Sequence, residues 1–117
     1  MEFKVEKTPT VFFVRLQSKE KAFLTYRIVG KVMELIGTYT PPEFRGKGIA
    51  ALMVKEAIKY AREKGLRMKP VCSYAIYFFK KHKEERDVLI NEYRKLSDWE
   101  WDELFSKRLT EEKLKKS

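Results

Sequence analysis

The sequence predicts an α+β fold: a mixed sheet in which antiparallel N-terminal strands lead into a helix–strand–helix unit, with an extra helix at the C-terminal end. Three observations carry this. Apolar, β-rich runs over residues 11–39 are separated only by short turns, the mark of an antiparallel meander. A glycine-containing loop at residues 45–50 opens straight into an amphipathic helical pattern. A short strand follows that helix, and a strand–helix–strand crossover adds a parallel strand to the sheet. At 117 residues the chain is read as one domain over 1–117, with its core at about 11–96 and a helical extension at 97–117.

Residues 1–9 are polar and read as a short edge strand or arm. Residues 11–17 are β-branched and aromatic and read as a strand, closed by the turn Ser18-Lys19-Glu20. Residues 22–29 form a second strand, with Phe23, Thr25, Arg27 and Val29 on one face and Leu24, Tyr26 and Ile28 on the other. Gly30-Lys31 is a tight hairpin turn, and residues 32–39 form a third strand whose one acid is Glu34. Pro41 and Pro42 stop it, since neither can donate to a ladder. The helix after the loop runs to about Lys64, with Ile49, Leu52, Met53, Ala57, Tyr60 and Ala61 on its apolar stripe and Gly65 as a left-handed cap. Residues 66–71 are the fourth strand. A short aromatic helix spans 74–81, and Leu89, Tyr93 and Leu96 give a further helical period over 85–96. Ser97-Asp98-Trp99-Glu100 fits a capping box for a last helix carrying Trp101, Leu104, Phe105 and Leu109. Thr110-Glu111-Glu112 starts one more turn, and residues 113–117 fray.

Lys and Arg number 26 against 17 Asp and Glu, a net charge of +9 that favours anionic ligands. Lys and Glu are interleaved, so a solvated surface explains part of it. No apolar run spans a membrane, and Met1-Glu2-Phe3-Lys4 does not open a secretory signal, so the expectation is a cytoplasmic protein without membrane contact. Cys72 is the lone cysteine and His82 the lone histidine, which excludes an internal disulfide and a metal-ligand constellation.

The stretch Arg45-Gly46-Lys47-Gly48-Ile49-Ala50 is built for an anion. The glycines leave backbone amides approachable, and the first helical N–H groups lie unpaired at the positive end of the helix dipole. That is a cradle for phosphate or diphosphate, and Arg45 and Lys47 are cations at an end where only an anion offsets them. The dinucleotide fingerprint matches formally but fails in context. Pro41-Pro42-Glu43-Phe44-Arg45 separates strand from glycine, and Leu66-Arg67-Met68-Lys69 lacks the required acid. The Lys-Ser/Thr ending of a nucleoside-triphosphate loop is absent as well.

The loop resembles the acyl-CoA loop of the GNAT superfamily of N-acetyltransferases: Arg or Gln, two residues, Gly, one residue, then Gly or Ala. Arg45, Gly48 and Ala50 fill it. From Thr38 to Leu89 the chain is similar to the small single-domain branch with a cysteine in its site, whose second motif is matched by Pro70-Val71-Cys72-Ser73-Tyr74. Gly37 stands where that branch carries a histidine, and the helix from Asp98 onward extends beyond the minimal domain. The resemblance implies acetyl-CoA as donor and a primary amine as acceptor. It implies that the strand end Gly37-Thr38-Tyr39-Thr40 pairs with the pantetheine arm, and that the diphosphate sits on the amides of Arg45, Gly46, Lys47, Gly48, Ile49 and Ala50. Ser73 and Tyr77 join this coenzyme-binding set.

The candidate catalytic residues are Cys72, Tyr74 and Glu34. Cys72 lies at a strand end before a helix N-terminus, a location that lowers a thiol pKa, with Lys69 as a further aid. A buried space-filler is the other reading. Tyr74 and Tyr77 are placed to protonate the coenzyme sulfur or to fill the core. Glu34 is a base acting through water, an exposed edge residue, or the partner of Arg27 across the hairpin. His82 with Lys80, Lys81 and Lys83 is a site for the 3′-phosphate or a solvated face. Trp99, Trp101, Phe105 and Leu109 pack on the domain or form a homodimer contact.

Three functions compete. An acetyltransferase is favoured. A CoA-binding protein without turnover shares the loop. A nucleic-acid-binding module rests on the charge and on Phe12, Tyr26 and Tyr39 as a sheet surface, without an RNP-like signature.

Overall fold

The computed structural model describes residues 3–115. The expectations for Met1, Glu2, Lys116 and Ser117 lie outside the described residues. Five strands form one sheet in chain order: β1 (Val5–Lys7), β2 (Val11–Arg15), β3 (Lys21–Val29), β4 (Val32–Tyr39) and β5 (Arg67–Pro70). The first four are antiparallel, and β5 runs parallel to β4 after the crossover through α1 (Ile49–Lys64). The expected mixed sheet is the observed one, and the element order departs from expectation only after Lys81. Gly30 turns the β3–β4 hairpin at φ 61°, where a side chain would be strained.

One sheet face makes the core. Phe12, Val14, Leu24, Tyr26, Met33, Leu35 and Met68 meet Met53, Val54, Ala57, Ile58 and Ala61 of α1. Each fully buried aliphatic side chain contributes about 1.5–3 kcal/mol. The helix stripe differs slightly from the sequence reading: Val54 and Ile58 are buried, while Leu52 is half-buried. Phe12 and Tyr26 lie under α1, 3% exposed each. Of the three aromatics read as a nucleic-acid surface, only Tyr39 is exposed. That reading loses its platform.

The feature that positions the site is a change of register inside the β3–β4 ladder. Thr25 stands opposite Gly37 and Tyr26 opposite Leu35, which leaves Ile36 as a bulge. The β4–β5 ladder ends at the same point, with Pro70 against Leu35. Pro70 has no N–H to donate onward. The amides of Val71 and Cys72 both turn in to Leu35 O, at 2.9 and 3.1 Å. Beyond Leu35 no ladder pair joins β4 to β5, so the two strands part and β4 runs on to Tyr39 with that edge unladdered.

Residues 85–96 do not form the single helix that Leu89, Tyr93 and Leu96 suggest. A 3₁₀ turn (Lys83–Val88) comes first, and a one-turn helix, α3 (Asn91–Arg94), follows. Between them Leu89 is extended and bridges Met68, with Ile90 N bonded to Met68 O at 3.0 Å. The free edge of β5 claims this backbone, and that pairing overrides the helical spacing.

Two helices complete the fold: α2 (Ser73–Lys81) and α4 (Asp98–Lys115). The capping box at Ser97 is formed, with Ser97 N to Glu100 Oε1 at 2.9 Å and Glu100 N to Ser97 Oγ at 3.2 Å. Thr110 starts no separate turn, since α4 continues through it and residues 113–115 stay helical. The tryptophans divide. Trp101 is buried beneath the Arg86 guanidinium and against the Tyr93 edge, while Trp99 is 66% exposed. α4 packs along α2 through Phe105 on Tyr77 and an ion pair of Lys80 with Asp102 at 2.7 Å.

Candidate active site

After β4, Pro41 and Pro42 enter a single 3₁₀ turn (Pro42–Phe44), held by Phe44 N to Pro41 O at 2.9 Å. Arg45 is exposed on this loop and lines its cleft. Its Nε donates to Thr40 O at 3.0 Å and ties the loop back to the strand end. Gly46 and Gly48 have φ of 81° and 80°, a left-handed backbone that excludes β-branched residues. Gly48 is the N-cap of α1. No side chain caps it, the first turn carries no acid, and the first bond of the helix runs from Leu52 N to Gly48 O at 3.0 Å. The amides of Ile49, Ala50 and Ala51 therefore precede the first intrahelical bond and face outward at the positive helix end.

These amides border a cleft of about 440 Å³ that also takes in Thr38, Tyr39, Thr40, Arg45, Gly46 and Tyr74. A second cleft, of about 490 Å³, lies around the parting of the strands. Gly37, Thr38, Cys72 and Ser73 line one side, and Leu109, Glu112 and Lys115 of α4 the other. Thr38 borders both clefts.

The remaining candidates fall in several places. Lys47 does not line the first cleft. Ser73 lines the second, not the first. Tyr77 is 40% exposed and sits between the Tyr74 and Phe105 rings, at 6.1 and 5.9 Å. Glu34 and Lys69 line a third cleft, without Cys72 or Tyr74, and Arg27 Nε bonds Glu34 Oε1 at 2.8 Å. The cross-hairpin ion pair is thus the observed arrangement of Glu34. His82 stacks on Phe78, with centroids 4.3 Å apart, and meets Glu84. Lys80 and Lys83 are ion-paired with Asp102 and Asp98, and Lys81 lies over the Tyr77 ring. Among the described residues no group of three or more His, Cys, Asp or Glu is placed to hold a metal ion.

Cys72 caps α2, its Sγ accepting from Ala75 N at 3.4 Å, and it is 4% exposed. The expectation of a lowered thiol pKa is corrected. Burial pushes the thiol up, and the Glu112 charge pushes the same way. Bonds from the Ala75 amide and the Thr38 side chain pull down without prevailing. Helix-end location alone does not decide a pKa when desolvation opposes it. At neutral pH Cys72 therefore keeps its proton. Tyr74 is also pushed up, chiefly by burial and then by its neighbours Tyr77 and Cys72, so its hydroxyl remains a proton donor.

Sequence reasoning missed Glu112. Its carboxylate reaches from α4 to the start of α2, accepting from Ser73 N at 2.9 Å, from Ser73 Oγ, and from Arg108 Nε at 3.2 Å. Burial pushes this carboxyl up, but the two Ser73 donors and the Arg108 guanidinium outweigh it and hold it below the usual range. A signal was available: Phe105, Leu109 and Glu112 follow the i, i+4, i+7 spacing of one helix face.

Residues 11–88 match the family described as GCN5-related N-acetyl-transferase. Among curated relatives, Protein NATD1 of Bos taurus is 37% identical over 73 residues, 61% of this chain and 65% of the bovine protein. Its counterpart in Xenopus tropicalis is 36% identical over 73 residues, 61% of this chain and 67% of that protein. The match thus spans just under two thirds of the bovine relative. The solution structure of a GCN5-like candidate N-acetyltransferase from Staphylococcus aureus has the same fold, with TM-score 0.62 and 24% identity, covering 74% of this chain and 87% of that one. Parted parallel strands, a glycine loop at a helix start and a sequence match over most of the chain lead to one conclusion: this chain belongs to the GCN5-related N-acetyltransferase family.

Proposed function

We propose that the protein transfers an acetyl group from acetyl-CoA to a primary amine. The observation that carries this reading is the meeting of two clefts at Thr38, where β4 leaves β5: one leads from the glycine loop, the other ends at Cys72. The first cleft fits the coenzyme. A Cβ built on Gly46 or Gly48 meets nothing within 4 Å, no side chain caps the helix, and no acid stands in its first turn. The amides of Gly48, Ile49 and Ala50 would bind the diphosphate, and the edge of β4 from Gly37 to Thr40 would pair with the arm in the manner of an added strand. Arg45 braces the loop through Thr40 and lines the same cleft.

Bound acetyl-CoA supplies a thioester whose C–S bond breaks as the amine nitrogen forms its C–N bond, the amine proton leaving to solvent. The protein's part is positioning and proton supply. Tyr74, on the loop cleft and held protonated by burial, is the donor to the departing sulfur and regains its proton from solvent. Cys72 then lines the site instead of carrying the acetyl group, because a buried protonated thiol is a weak nucleophile. Glu34, tied to Arg27 in another cleft, is left out of the chemistry. A CoA-binding protein without turnover is the second reading, and the same displacement of Glu34 favours it.

The test is CoA release against a panel of amines. Turnover in the parent chain, at least tenfold lower in Tyr74→Phe and nearly unchanged in Cys72→Ala, supports direct transfer. Binding of acetyl-CoA with no turnover on any amine supports the second reading.

A further inference from the structure

The family match ends at residue 88, and α4 begins at Asp98. One wall of the Cys72 cleft is therefore built by a helix outside the matched segment. That wall carries three side chains of different character: Leu109 is apolar, Glu112 anionic and Lys115 cationic. We infer that this cleft is the acceptor pocket, and that it takes a small amine bearing an anionic group, its ammonium held by Glu112 and its anion by Lys115. The inference rests on the acetyl-transfer reading and adds the substrate class.

Position comes first. The cleft shares Thr38 with the loop cleft and includes Cys72, so an acceptor lying there reaches the strand parting beside the coenzyme cleft. Its volume of about 490 Å³ is in the range of small-molecule pockets. Donor count comes next. A carboxylate offers about four lone-pair sites. Ser73 N and Arg108 Nε occupy Oε2, and Ser73 Oγ takes one site on Oε1. Oε1 keeps a site for one more donor. With its charge retained by Ser73 and Arg108, Glu112 docks the ammonium group without taking its proton; that proton leaves to solvent before the neutral nitrogen attacks the thioester. Charge pattern comes third. Glu112 and Lys115 are three residues apart on a helix, with Cβ atoms about 5–6 Å apart on one face. A ligand with both signs a few bonds apart matches that pair. A polyamine would set its second cation against Lys115, in a chain of net charge +9.

The experiment titrates the full chain with free amino acids, the same amino acids as carboxamides, and spermidine. Binding is followed by amide chemical shifts with and without CoA, and kcat and KM are measured with acetyl-CoA. The expected result is a shift of the Cys72 and Ser73 amides by at least one amino acid, with kcat/KM at least tenfold above that of its carboxamide and of spermidine. Glu112→Gln, close in size, raises the amine KM at least tenfold and leaves acetyl-CoA affinity within twofold. Lys115→Glu leaves the Glu112–Ser73 bonds in place and abolishes the preference for the acid over the carboxamide. Equal use of acid, carboxamide and spermidine, or an unchanged ratio in Lys115→Glu, overturns the inference. Amino-acid binding at Ser73 without any acetyl-CoA binding upholds the pocket and removes the transfer reading. Acetyl-CoA binding with no amino acid perturbing Ser73 does the reverse.

Discussion

The two clefts that meet at Thr38 are made in different ways. The glycine loop is a local object: Arg45, Gly46 and Gly48 set its conformation within a few residues of chain, and its donors are backbone amides. The Cys72 cleft is a tertiary object. Its opposite wall comes from Leu109 and Glu112, more than thirty residues away in sequence, and its shape depends on α4 docking. A site written in backbone conformation tolerates loss of distant packing. A site written in side chains on a docked helix does not.

The largest expected effect follows from that contrast. Trp101 is the largest buried side chain that α4 contributes. Trp101→Ala should cost about 3–5 kcal/mol and lower Tm, read by calorimetry. Amine turnover should fall far more than acetyl-CoA affinity. Equal loss of both would mean that the clefts are one cooperative unit.

Next is the loop itself. Gly48→Ala introduces a Cβ at φ 80°, with free space around it but a strained backbone, costing about 1–2 kcal/mol. Acetyl-CoA affinity, measured by calorimetric titration, should drop at least tenfold, while the Ser73–Glu112 contact persists. Smaller again is Ser97→Ala, which removes the capping box and should cost about 1 kcal/mol in chemical denaturation.

Acid titration separates the regions without mutation. The folded pKa of Glu112 is lowered relative to an unfolded value of about 4.3. Its contribution is fully present above that unfolded value and is lost as pH falls through the lowered folded one. In Glu112→Gln the acid limb of the stability curve should flatten; an unchanged limb would show that Glu112 is not tied to α2. Cys72 titrates in the opposite direction. Alkylation at neutral pH should be at least tenfold slower than for a free thiol and should accelerate as pH rises above the ordinary thiol range.

The same contrast explains what was legible in the sequence. The hairpin at Gly30, the limits of β4 and the cap at Gly65 follow from local chemistry and appear as read. The Ile36 bulge was hidden because Leu35 and Ile36 are both apolar, so a one-residue shift leaves no mark in the pattern. Leu89, Tyr93 and Leu96 share a helical spacing for unrelated reasons. Leu89 bridges Met68 at the sheet edge, and Tyr93 abuts Trp101. At the site, the glycine loop was readable. The thiol of Cys72 was misjudged because burial, a tertiary quantity, outweighs the helix end that sequence can see. Glu34 stood out as the acid in an apolar strand, yet its partner Arg27 was already fixed by the hairpin register.

The central claim is that the loop amides and the parted edge of β4 grip one coenzyme. Amide chemical shifts of the ¹⁵N-labelled chain, titrated with CoA, test it most directly. The account predicts saturable shifts at Gly37, Thr38 and Tyr39 together with Gly46, Gly48, Ile49 and Ala50, and little change along β1 and β2. Saturation without movement of those amides, or no binding at CoA concentrations in the millimolar range, would contradict it.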